Sequence, residues 1–512
     1  MKNVILLFLI AGAAAFAAIS QPVKVTGGMV AGVPARDTSI TAFKGIPFAA
    51  PPVGTLRWRA PQPVVRWSGV KTADKFGASC MQTIVTEKKP WTYEFMAHND
   101  VSEDCLYLNV WTAAKAASEK RPVFVYIYGG AFTEGSAAVP GYDGEGLAKK
   151  GLIVVTINYR VGIMGFFSHP ELTAESASKV SGNYGLLDQI AALEWVRDNI
   201  AAFGGDPARV TIAGQSAGAS SVNALVASPL AKGLFARAIA ESGVALSRGG
   251  GTKLDQAEQA GAAFAAAKGA KSIADLRAMS WQQLTAPMQG GGRGYRGGLI
   301  IDGAFLPQPV TEIYAAGKQA DVPTLTGWNK GENGGSPNPT VTAAAFQAQA
   351  KQRYADRAEE FLKLYPAATD EQAHLSQNES SWDQQRVSTY LWARERAKTA
   401  KSNAYTYFWD HALPGPDAGL YGAFHSSEVP YALNTLYMSE RPFTAADHSI
   451  ADQVSGYWAN FATTGDPNGK GLANWPAVGG KPETMEIGDK PGAIAVAGSA
   501  EKLAFWEKFL TK

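Results

Sequence analysis

Apolar residues along the chain fall into two alternating patterns. Short, nearly unbroken runs rich in β-branched and aromatic residues occupy 122–127, 152–158, 210–213, 236–241, 322–328 and 404–409. Such runs suit strands buried on both faces of a mostly parallel sheet. Between two of them, Leu186, Ile190, Leu193, Val196 and Ile200 recur at helical spacing before Gly204-Gly-Asp-Pro207 stops the helix. Ala-rich stretches predict helices over 254–270 and 272–285, and 444–464 reads as a helix ended by Gly465-Asp-Pro467. Strand, helix and strand in this order describe an open, doubly wound sheet whose chemistry gathers at the C-terminal ends of its strands. Alternating Leu106, Leu108 and Val110 predict one more strand. The stretch 23–69 is punctuated by Pro and Gly and predicts an irregular wrap, and from Thr340 onward helices surround the single strand at 404–409.

The run at 210 matters for what it ends in, Val210-Thr-Ile-Ala-Gly-Gln-Ser-Ala-Gly218, which passes into a small-residue, helix-compatible stretch. A strand turning sharply into a helix strains the serine backbone, and glycine at 214 and 218 lets neighbouring backbone approach. Ser216 is thereby thrust out of the turn as a candidate nucleophile. The amide of Ala217, in the first helical turn, points with the helix dipole to where an oxyanion would form.

Composition narrows the setting. At 512 residues the length allows about three domains, but large α/β enzymes often run as one. With 46% hydrophobic and 18% charged residues the chain has the makings of a substantial core, which excludes a disordered protein. A net charge of +2, with Lys and Arg scattered, recommends neither nucleic acid nor an anionic membrane as partner and leaves a small molecule. Lys2 precedes an apolar run over 4–18 followed by small residues, so 1–20 reads as a secretory signal peptide, too short to anchor securely in a bilayer. The mature protein is then expected to be secreted or periplasmic, without a stable membrane anchor. Export makes the two cysteines informative, because an even pair in an oxidising compartment predicts a disulfide, Cys80 to Cys105.

Three stretches carry a resemblance: Gly45 to Trp58, Glu103-Asp-Cys-Leu-Tyr-Leu-Asn109 and the serine elbow. Together they resemble the type-B carboxylesterases, the family that includes the cholinesterases, and the resemblance covers essentially the whole mature chain. It implies an α/β-hydrolase fold, a large, mostly parallel sheet flanked by helices, with helical insertions forming a cap, in one domain over 21–512. In that pattern Tyr-Ile-Tyr-Gly-Gly-Ala131 places the oxyanion hole at Gly130 and Ala131, completed by Ala217. Bacterial relatives commonly have histidine before these glycines; Tyr128 here is expected to alter packing and not the number of donors.

A serine needs a histidine base and an acid to orient that base, in the order serine, acid, histidine in this fold. Of the six histidines, His374, His411, His425 and His448 follow the elbow. His425, in Gly422-Ala-Phe-His, matches the family motif; His411 is the runner-up, and His374 and His448 fall in helix-like polar stretches. Glu332, in Asn329-Lys-Gly-Glu, occupies the family's acid position at a strand end, while Asp302 is the alternative acid and reads as a turn residue. Ser242 resembles the family's supporting serine. These features imply a serine carboxylesterase working through an acyl-enzyme. A lactonase, thioesterase or amidase would use the same residues, and a non-catalytic binding protein on the same scaffold is the competing class.

On the substrate side, Gln215 stands where cholinesterases carry glutamate, which argues against choline selectivity. Trp91, inside the cysteine loop, is a candidate aromatic face for a cation. Arg293 and Arg296, in the glycine-rich stretch 290–298, are candidates for a carboxylate clamp at the cleft rim. No metal or cofactor is expected, since six histidines and two cysteines offer neither His-x-x-x-His nor Cys-x-x-Cys spacing.

Overall fold

The computed structural model describes residues 19–243, 251–287, 295, 297–332 and 341–511. Among these, eleven strands build the main sheet: β1 (Val33–Pro34), β2 (Thr41–Pro47), β3 (Tyr107–Thr112), β4 (Arg121–Ile127), β5 (Ile153–Ile157), β6 (Gly205–Gln215), β7 (Arg237–Glu241), β8 (Thr324–Asn329), β9 (Ala404–Asp410), β10 (Glu483–Gly488) and β11 (Gly492–Ala495). Their spatial order is β1-β2-β3-β5-β4-β6-β7-β8-β9-β10-β11. From β5 to β10 all neighbours run parallel, while the strands at both margins are antiparallel.

The apolar runs are unbroken because both faces of the central strands are covered. Alternate residues of β4 serve different cores. Val123, Val125 and Ile127 pack with Leu186 and Leu193 of helix α1 (Tyr184–Asn199) and with Val222 and Leu225 of helix α2 (Ala217–Ala227). Phe124 and Tyr126 pack instead with Tyr457, Trp458 and Phe461 of helix α4 (Ala445–Thr464), while helix α3 (Asp370–Ala397) adds Trp392 and Ala393 to the first core. Thr444 caps α4 in a capping box with Asp447, and Gly465, at φ 85°, ends it in the left-handed region. The fold is therefore the α/β-hydrolase arrangement expected from the chain.

Several elements differ from the expectation. The supposed wrap at 23–69 contains strands, β2 among them, because Pro and Gly break helices but tolerate strand edges and bulges; Gly45, at φ +69°, sits in the irregular register between Phe43 and Ile46. The second Ala-rich helix is two, Ile273–Ala278 and Trp281–Thr285, since Ser280 forms its own capping box with Gln283 and starts a new helix. β10 and β11 join β9 at the sheet edge, so 404–409 is not the single strand after Thr340. Cys80 and Cys105 form the expected disulfide, Cα atoms 4.9 Å apart and both fully buried.

Candidate active site

Ser216 stands between the end of β6 and the start of α2, at φ 58° and ψ −121°. A non-glycine residue holds this conformation only when its surroundings enforce it. Here the Ser216 N–H donates to Glu241 O at 2.8 Å, and Ser216 O accepts from Ser220 N–H at 2.9 Å. A Cβ on Gly218 would lie 2.0 Å from Ile127 O, so only glycine lets α2 close onto the end of β4.

The same strand β4 runs on into Gly129, Gly130 and Ala131, with φ +112° at Gly130 and 53° at Ala131. Among the described residues, nothing accepts from the backbone N–H groups of Gly130, Ala131 or Ala217. Gly130 and Ala131 line a cavity of about 300 Å³ together with Gln215, Ser216 and His425. Tyr128 packs beneath this turn: its ring stacks on Tyr159 at 4.3 Å, and each hydroxyl donates to the other residue's carbonyl, at 2.7 and 2.9 Å.

Glu332 follows β8 and reaches the histidine loop. Its Oε2 lies 2.5 Å from His425 Nδ1, and its Oε1 accepts from Ser242 Oγ at 2.5 Å and from the Asn329 N–H at 2.7 Å. The loop carrying His425 is tied from several sides. Gly331 N–H donates to Ala423 O at 2.8 Å, Asn329 Nδ2 to Phe424 O at 2.8 Å, and Trp91 Nε1 to His425 O at 3.0 Å. Burial by itself would lower the histidine pKa, but the Glu332 charge and its hydrogen bond to Nδ1 outweigh that and hold it above the ordinary value. The other imidazole nitrogen, Nε2, lies 3.1 Å from Gln215 Nε2. Among the described residues no hydrogen bond joins it to Ser216 Oγ, and catalytic bonds in unliganded sites often tighten only with substrate.

The remaining candidates are placed as follows. Trp91 meets His425 edge to face at 6.4 Å and walls the cavity, so its indole braces the histidine loop. His411 binds Asp489 at 2.6 Å and Asp447 at 3.0 Å, and is engaged away from Ser216. His374 lies on α3 beside Asn378, and His448 on α4 against the Phe443 ring. Asp302 Oδ1 accepts from the N–H groups of Ala304, Phe305 and Leu306, the turn anchor it resembled. Arg293 and Arg296 lie outside the described residues. Asn329 was not singled out in the sequence, although it begins the motif that contains Glu332; a turn-forming Asn at a strand end was the only signal for it.

A parallel sheet whose central strands end in a serine elbow, an acid loop and a histidine loop is the architecture of an α/β-hydrolase. Within that class the chain belongs to the Carboxylesterase family, whose profile matches residues 20–506. It is 36% identical over 486 residues to the fumonisin B1 esterase of Sphingopyxis macrogoltabida, covering 91% of this chain and 86% of that protein. Against the cocaine esterase of Oryctolagus cuniculus it is 34% identical, covering 94% and 93%. The medium-chain fatty acyl-CoA hydrolase precursor of Anas platyrhynchos is 33% identical, covering 99% and 96%. The protein is a carboxylic-ester hydrolase.

Proposed function

We propose that the protein is an exported serine carboxylesterase acting through an acyl-enzyme. Ser216 Oγ attacks the ester carbonyl while His425 Nε2 takes its proton, and Glu332 holds the Nδ1–H and stabilises the imidazolium. The N–H groups of Gly130, Ala131 and Ala217 receive the oxyanion. The alcohol leaves with the proton from His425; a water then attacks the acyl-serine, with His425 as base, and releases the acid. For the first step the Gln215 amide gives up its contact with Nε2.

One observation carries this reading: the Ser242–Glu332–His425 chain ends at the same cavity that Ser216 and unbonded backbone N–H groups share. The apolar part of the cavity wall, Ile84, Val85, Trp91, Phe95 and Met96, suits an apolar group on the ester, with Lys88 and Glu134 also lining the cavity. Export rests on Lys2 and the apolar run 4–18, supported by the disulfide. Among the described residues no helix is long and apolar enough to cross a membrane.

An organophosphonate tests the assignment. The folded wild type is expected to take up one phosphonyl group and lose esterase activity, while Ser216→Ala takes up none. A folded wild type that resists labelling rejects the mechanism.

A further inference from the structure

Two carboxyl groups near the Ser242–Glu332–His425 chain have no part in the proposed reaction. Glu241 ends β7, one residue before Ser242, and Glu428 lies three residues after His425; both are 0% exposed. Each accepts a hydrogen bond from a neutral donor, Glu241 Oε1 from Trp458 Nε1 at 3.0 Å and Glu428 Oε2 from Asn329 Nδ2. Among the described residues, their second oxygens, Glu241 Oε2 and Glu428 Oε1, have no partner. Neither does Asn329 Oδ1, although Asn329 is also 0% exposed.

Asn329 and Glu428 thus meet donor to acceptor, and each keeps one buried acceptor oxygen unbonded. An ionised carboxylate cannot mend this, because it only accepts. A carboxylic acid can, by donating from its hydroxyl. We propose that Glu428 is protonated in the working enzyme, its Oε1–H donating to Asn329 Oδ1, so that the two side chains form a neutral acid–amide pair that positions the histidine loop.

Asn329 is the place where such a lock would act. Its amide nitrogen also donates to Phe424 O, next to His425, and its backbone N–H donates to Glu332 Oε1. Fixing the amide at both ends aligns the acid loop with the histidine loop. The surroundings favour the neutral acid. Burial pushes both Glu428 and Glu241 up to about 8, and ionisation of either one would raise the other further. The other titratable groups acting on the pair are Tyr126 of β4, Tyr142, Tyr407 of β9, Glu332 and His425. The tyrosines stay neutral, and Glu332 would repel a second carboxylate. Ionisation is favoured by the hydrogen bond from Asn329 and, when it is protonated, by His425, and burial with the neighbouring carboxylates outweighs both.

This inference rests on the proposed roles of His425 and Glu332, and Glu428→Gln tests it, since glutamine reproduces both bonds of the protonated acid. A group whose pKa is raised in the folded protein stabilises it most below its unfolded value, 4.5, and that stability is lost as pH rises through about 8. The wild type is therefore expected to lose thermal stability between pH 5 and 9 relative to Glu428→Gln. The variant should keep kcat/KM within about threefold at pH 7, with the acid limb of its pH profile unmoved. An acid limb lowered by about one pH unit, with kcat/KM down about thirtyfold, would show an ionised Glu428 supporting the imidazolium and overturn the proposal. Should Glu428→Gln not fold, Glu241→Gln, which removes the other buried acid, decides: an infrared band of a buried carboxylic acid must persist in it at pH 7, and its absence rejects the proposal. The stability and infrared measurements do not involve turnover, so they separate this proposal from a failure of the triad, which Ser216 labelling reports.

Discussion

Glu332 accepts from Ser242 and from Asn329 while facing His425 Nδ1, so its carboxylate has little freedom to turn. Ser242→Ala removes one donor from a largely buried carboxylate, a loss of about 1–3 kcal/mol. We expect kcat/KM on an uncharged ester to fall about 5- to 100-fold with the protein still folded; an unchanged value would show that Ser242 does not orient the acid. Because His425 is held above its ordinary value of 6.5, activity should fall with decreasing pH through an apparent pKa above 6.5, as the protonated ring cannot accept the serine proton. Glu332→Gln removes the charge and replaces one acceptor oxygen with a donor amide. It should lower that apparent pKa and reduce kcat about 10³- to 10⁴-fold, as measured by a pH–rate profile. Ser216, Glu332 and His425 could be proposed from the sequence because each sits in a short motif, the first two at strand ends and the third in the loop after β9, and the chain order follows from the fold. Asn329 and Glu428 could not, since their importance depends on where the loop after β8 meets the loop after β9.

The elbow and the disulfide loop are the elements that hold these residues in place. Gly218→Ala would put a methyl group against Ile127 O, and because β4 continues into Gly130, the clash should disturb the proposed oxyanion donors as well as the helix. A fall in thermal midpoint accompanied by a loss of kcat larger than any rise in KM is expected; a stable, fully active variant would contradict the packing. The Cys80–Cys105 bridge closes a loop with a sequence separation of 25 that contains Trp91, whose indole donates to His425 O. Replacing both cysteines with alanine should cost about 3–4 kcal/mol by the chain-entropy model, read from denaturant unfolding. Buried central strands were readable from their unbroken apolar runs. The marginal strands β1, β2, β10 and β11 were not, because β1 is only Val33–Pro34, β2 is interrupted by Lys44 and Gly45, β10 carries Glu483 and Glu486, and alternate residues of β11 are exposed, so none forms a continuous apolar run.

At the scale of the molecule, the sheet separates two cores, one against α1 and α2 and one against α4, and brings three distant segments to one end of its parallel strands. Ser216 and His425 are 209 positions apart in the chain yet share one cavity. The central claim, that the ester's acyl group passes through Ser216, is open to direct measurement. The enzyme is mixed with a chromogenic ester, quenched within the first turnover and digested, and the peptides are weighed. The acyl mass is expected on the peptide holding Ser216, formed as fast as alcohol is released and absent in Ser216→Ala. An acyl group on any other residue, or undiminished turnover by Ser216→Ala, would contradict it.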